Sequence, residues 1–154
     1  MVTAYDERLA VPLRWWVQGS MLVASLWLAM IVAVPGALAW GVTAVALALL
    51  TLLLRSYGST RIVVADGVLR VGRARIEAHH LGLAHPLDAD QARRAAGVEA
   101  DARAYLVLRP YLKRAVKVEI TDPADPAPYW LVSTRHPDEL AGAVGALTGR
   151  DPAL

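Results

Sequence analysis

Apolar and polar positions follow three different rhythms along this chain. From Trp15 to Leu54 no residue is charged and nearly every side chain is apolar or small. From Thr60 to Thr134 short apolar runs alternate with polar residues, as in strands with one wet face. After Pro137 the apolar positions Leu140, Val144 and Leu147 recur at helical spacing. A bilayer core about 30 Å thick takes about 20 helical residues, so the uncharged stretch has length for two crossings. Pro35 and Gly36 divide it, because proline removes a helix hydrogen bond and pushes the preceding residue out of helical dihedrals. The pattern predicts a transmembrane helical hairpin over residues 15–54, with spans at about 16–34 and 37–54. A single kinked helix in a soluble core would need a polar face, and none repeats here. A cleaved signal peptide would end sooner.

The remaining residues predict an α+β domain over 55–150. Strands are expected at Thr60–Ala65, Val68–Gly72 and Arg73–Glu77, the first two joined by the hairpin signal Asp66-Gly67. A short helix over Leu87–Ala96, with Asp88 as cap and Gly97 as stop, precedes strands at Ala104–Arg109, Ala115–Thr121 and Tyr129–Thr134. Pro137 opens the last helix, Asp138 and Glu139 suit its positive end, and Gly149 closes it. Residues 1–14 and 151–154 are assigned as tails.

Charge adds orientation. Arg8 and Arg14 flank one end of the hairpin, Arg55 and Arg61 the other, and the central turn carries none, so both termini are expected in the cytoplasm of a twice-spanning plasma-membrane protein. Trp15, Trp16 and Tyr57 would form an aromatic belt on that side, with Trp40 on the other. The net charge of +2 gives no electrostatic case for nucleic acid, and the absence of cysteine excludes disulfides and thiolate metal sites. Arg55, Arg61, Arg70, Arg73 and Arg75 face only Asp66 just after the hairpin, a cluster able to touch anionic headgroups at about 1 kcal/mol for each well-placed charge.

Several segments together resemble a known family: the opening YDERLAVPLRWW (Tyr5 to Trp16), the hairpin, TRIVVADGVLRVGRARI (Thr60 to Ile76), RPY (Arg109 to Tyr111) and DPADPAPYWLVSTR (Asp122 to Arg135). They look like an uncharacterised family of small two-helix membrane proteins from high-GC Gram-positive bacteria, a domain of unknown function that implies no activity. The polar part resembles the pleckstrin-homology-like domains that bacteria attach to paired membrane helices. That resemblance implies a small bent antiparallel sheet of seven strands with a C-terminal helix, the seventh strand falling at Leu81 to His85.

The block from Asp122 to Arg135 is the first candidate site. Two Asp-Pro steps and Pro128 stiffen it, and Asp122, Asp125, Tyr129 and Arg135 would offer a ligand or partner surface, with Arg135 reaching back to one carboxylate as a bidentate pair. The plainer reading is a rigid strand connection with a satisfied ion pair and Trp130 packed under the last helix. The two aspartates lack the spacing and pocket of an acid and base pair, and the loop lacks the alternating ligands of a calcium site. His79, His80 and His85 supply too few ligands on one face for zinc. Ser133 lies in no nucleophile elbow, and no phosphate-loop pattern or interleaved aromatics accompany the glycines and the Arg109, Lys113, Arg114 and Lys117 cluster. The hairpin carries no ionisable group for transport, while its small residues, Gly19, Ala24, Ala29, Gly41, Ala44 and Ala48, permit close helix approach within or between chains.

The sequence therefore predicts a membrane-anchored, non-catalytic binding or scaffolding module with no cofactor and no metal. Membrane lipids and a protein partner or second copy are its expected contacts. The second reading is an anionic-lipid sensor using the juxtamembrane arginines, and the third an enzyme built on Asp122 and Asp125.

Overall fold

The computed structural model describes residues 3 to 150. The chain divides into two compact units, a helical one over Ala10–Thr60 and an α+β one formed by the residues up to Leu9 together with those from Arg61 onward.

In the helical unit α1 (Leu13–Ala33) and α2 (Gly36–Tyr57) run for 21 and 22 residues on either side of the Val34-Pro35 break. At 1.5 Å per residue each is about 30 Å long, the thickness of a bilayer core. Both are long and apolar enough to span a membrane. No residue of α1 is buried, and α2 buries only Ala39 and Leu54, so nearly all of this apolar surface lies outside the fold. The helices meet where Gly19 lacks a side chain: a Cβ there would come within 2.8 Å of Leu50 Cδ1. Trp27 and Trp40 lie 5.2 Å apart near the turn. The hydroxyls of Ser25, Thr43 and Thr51 donate to carbonyls one turn back, which satisfies them inside their own helices.

Among the described residues the α+β unit contains eight strands, where the pattern predicts six and the resemblance a seventh. The first sheet has the order β1 (Thr3–Arg8), β2 (Arg61–Ala65), β3 (Val68–Val71), β4 (Ala74–Glu77), all antiparallel. Its first strand corrects the assignment of residues 1–14 to a tail: Tyr5 to Arg8 pair with Val64 to Arg61, so the start of the chain belongs to the sheet. The tail expected over residues 151–154 lies outside the described residues. At the β2–β3 turn both Asp66 and Gly67 have positive φ, 49° and 75°, the geometry of a type I′ hairpin that an Asp-Gly pair accommodates.

The second sheet has the order β5 (Leu81–Leu87), β7 (Ala115–Ile120), β8 (Tyr129–Ser133), β6 (Tyr105–Val107). Strand β5 occupies the position expected for the seventh strand and tolerates Pro86 because it lies on the sheet edge. Strand β6 departs from the antiparallel expectation by pairing parallel to β8. Strand β8 shows no alternation because it is covered on both faces. Trp130 and Val132 enter the main core with Ile62, Val64, Leu69, Val71, Val116 and Val118. Leu131 and Tyr129 pack with Ala92 and Ala95 of α3 (Ala89–Ala96). Helix α4 (Pro137–Thr148) places Leu140, Ala141 and Val144 in the main core and ends at Gly149, whose φ of 68° is the left-handed stop of a helix C-terminus.

Candidate functional site

Two polar constellations stand out in the α+β unit. In the first, three separate segments of the sequence converge: Tyr5 to Arg8 on β1, Arg109 to Tyr111, and Ser133 to Arg135 at the end of β8. Their centre is Glu7, which strand alternation turns inward beside Tyr5 and Leu9 while Asp6 and Arg8 stay exposed. Tyr5 Oη donates to Glu7 Oε2 at 2.7 Å, the Thr134 hydroxyl donates to the same oxygen, and the Arg135 backbone N–H donates to Oε1 at 3.1 Å. The Arg135 guanidinium lies 3.6 Å from Oε1 and also donates to the Arg8 carbonyl at 3.2 Å.

The surrounding groups extend this network. Tyr111 Oη donates to the Leu9 carbonyl at 2.7 Å, and Ser133 Oγ accepts the Arg109 N–H at 3.1 Å. Burial pushes the Tyr5 phenol well above its ordinary range, an effect the Thr134 hydrogen bond opposes and Glu7 reinforces. Burial also raises the Tyr111 phenol, against the pull of Arg109 and Arg135. With both oxygens of Glu7 engaged, this carboxylate has the geometry of a tie between the first strand and the β8–α4 junction. A general base needs a lone pair directed at a substrate proton.

The second constellation lies on the outer face of β3 and β4. Arg70 and Arg75 are cross-strand partners, and together with Glu77, His80 and Asp122 they border a cavity of about 300 Å³ to which Val68 and Ile76 add apolar lining. Asp122 Oδ1 accepts the Ala124 N–H at 2.8 Å and lies 3.9 Å from His80 Nδ1. Glu77 leans instead toward His79, 3.4 Å away.

The candidate block from Asp122 to Arg135 is thus dispersed. Asp122 and Asp125 each accept the backbone N–H two residues on, at 2.8 and 2.9 Å, which makes the proline-stiffened loop a pair of Asx turns. Tyr129 is buried, its hydroxyl accepts the Asp101 N–H at 3.0 Å, and Lys117 Nζ lies 4.4 Å from its ring centre. Arg135 pairs with Glu7, which corrects the expected pair with a loop aspartate. Only Asp122 of these four borders the cavity.

The candidate arginines separate as well. Arg61 forms a two-point pair with Asp6 at 3.1 and 2.6 Å, on side chains 63% and 38% exposed, a setting worth little in stability. Arg55 sits in the last turn of α2, where its charge complements the helix dipole. Arg73 occupies the β3–β4 turn. Among the described residues no cluster of three or more metal-ligating side chains occurs.

Sequence reasoning gave no site role to Tyr5, Glu7, Thr134 or the groove position Glu77, and weighed His80 only as a zinc ligand. The signal for the first two was present in Tyr5, Glu7 and Leu9, a period of two cut short by the hairpin that follows. The chain belongs to the family described as Protein of unknown function (DUF3093), which it matches over residues 4–144. Comparison with curated proteins and with solved structures gave no match.

Proposed function

We propose that this member of the family is a membrane-anchored, non-catalytic binding module, held by its helical hairpin at the cytoplasmic face of the plasma membrane with both termini inside. Recognition falls to the arginine-bearing face of β3 and β4 rather than to the Asp122–Arg135 block. The observation that carries this choice is the contrast in polar satisfaction between the two surfaces. The loop carboxylates and Arg135 are engaged within the fold. Among the described residues, Arg70, Arg73 and Arg75 have no ion-pair partner. Unpaired guanidinium groups on a surface tethered to a membrane suit anionic ligands, whose local concentration the tether raises.

The exposed apolar faces of α1 and α2 support the anchoring, since lipid tails cover such surface without a hydrophobic penalty. Two sheets sharing a core, closed by a C-terminal helix, support a pleckstrin-homology-like ancestry for the α+β unit, with the hairpin inserted between its first two strands.

The natural absence of cysteine makes a direct test available. Gly36→Cys, where a side chain meets nothing within 4 Å, is expected to react with a membrane-impermeant maleimide on intact cells. Ala100→Cys, on an exposed loop, is expected to react only after permeabilisation. Labelling of Ala100→Cys from outside would overturn the placement.

A further inference from the structure

We infer that the groove between Arg70, Arg75 and His80 is a binding site for a phosphate group carried on a small hydroxyl-bearing molecule, a glycerol phosphate being the simplest example. The inference rests on the binding-module reading above and deepens it. Its starting point is the register of β3 and β4, which sets Arg70 directly opposite Arg75. Directly opposed residues on one face have Cβ atoms about 5 Å apart, and like charges placed so destabilise the sheet. Elsewhere in this sheet Arg61 is neutralised by Asp6. Neither member of the opposed pair has a carboxylate within ion-pair distance among the described residues.

The two acidic residues at the groove keep their charges, but neither lies within ion-pair distance of Arg70 or Arg75. Asp122 is held by the Ala124 N–H and faces His80, and Glu77 faces His79. The positive charge of the cross-strand pair is thus left without a direct partner, and the cavity of about 300 Å³ beside it is of the size of a small ligand site. Two guanidinium forks arriving from adjacent strands match a tetrahedral phosphate, which offers a separate oxygen edge to each. A planar carboxylate offers one such edge. His80 supplies a third donor, and Glu77 is placed to accept a hydroxyl proton from the rest of the ligand. The same chemistry arises in a soluble phosphate ester or in a phosphatidylglycerol headgroup.

The test uses the full chain in neutral detergent, titrated calorimetrically with glycerol 3-phosphate, inorganic phosphate and acetate. Saturable binding of glycerol 3-phosphate, weaker binding of phosphate and none of acetate is the expected order. Arg70→Gln or Arg75→Gln should weaken binding by at least about tenfold, the size of losing a charge-assisted contact, whereas Arg93→Gln, on α3 and outside the groove, should change it by less than about twofold. Because each groove substitution also relieves like-charge repulsion, both variants should melt no lower than the parent without ligand, which separates lost binding from lost folding.

Repeating the titration in phosphatidylcholine discs with and without phosphatidylglycerol identifies the source. Competition by the lipid assigns the site to a headgroup, and its absence assigns it to a soluble ester, both within the proposal. No saturable binding, or an equal loss with Arg93→Gln, would overturn it. Maleimide labelling reports the anchoring independently, so either idea can fail while the other stands.

Discussion

At the scale of single residues, the contrast between Glu7 and the Arg70/Arg75 pair organises the molecule. Glu7 is a buried carboxylate with both oxygens hydrogen-bonded, and such groups hold structure, since an unmet partner in the interior costs about 1 to 3 kcal/mol. The arginine pair is the reverse, a repulsion left standing on an open face. Tyr5 connects the first group to pH. Its folded-state phenol is raised, chiefly by burial, above its value of about 10 in the unfolded chain. The neutral form is thus favoured by folding, and that contribution is complete below about pH 10 and lost as pH rises toward the folded value. Alkaline titration followed at the phenolate absorbance should show Tyr5 and Tyr111 ionising above the ordinary phenol range and together with loss of melting temperature. Tyr5→Phe should remove one late-titrating group, and an unchanged curve would show that Tyr5 is not the group responsible.

At the scale of elements, the fold is most legible in the sequence where the signals are local. Helix α3 begins at the expected cap: Asp88 accepts from the Asp90 and Gln91 amides at 2.9 and 2.8 Å, and Gln91 returns a contact to the Asp88 amide at 2.9 Å. This capping box is set by residues three apart, so it is legible in a string of letters. Asp88→Ala should cost about 1 kcal/mol of helix stability, seen as faster hydrogen exchange at the Asp90 and Gln91 amides with little change in the second-sheet strands. Strand β6 was foreseen as a strand but not as a parallel neighbour of β8, because pairing partners leave no mark on a three-residue run. Strand β1 was missed because its alternation covers few positions, with its partner far along the chain.

At the scale of the whole molecule, the hairpin interrupts the first sheet between β1 and β2, and this sets how the chain can be divided. A polypeptide beginning at Arg61 lacks β1 and with it Glu7, leaving the Arg135 amide and the Thr134 hydroxyl without their acceptor. It should fail to melt cooperatively. Joining Leu9 to Arg61 through a short glycine-rich turn keeps the Arg8–Arg61 pairing and removes the apolar helices. That version should be soluble without detergent and melt in one transition by circular dichroism, whereas cooperative melting of the Arg61 fragment would show that β1 is dispensable.

Sequence alone determined the two long uncharged apolar helices, the break at Pro35, the Asp66-Gly67 hairpin, the limits of α3 and α4 and the α+β class. Each of these depends on interactions between residues within a few positions of one another, or on the cost of putting charge into an apolar phase. Tertiary structure alone decided that Arg135 meets Glu7, that the Asp122 loop turns on itself, and that Arg70 and Arg75 share a groove with His80. Glu7 and Arg135 are 128 positions apart, and closing a loop of that length is favourable only when the whole core forms at once. The choice of partner therefore belongs to the folded assembly and is written in no local pattern.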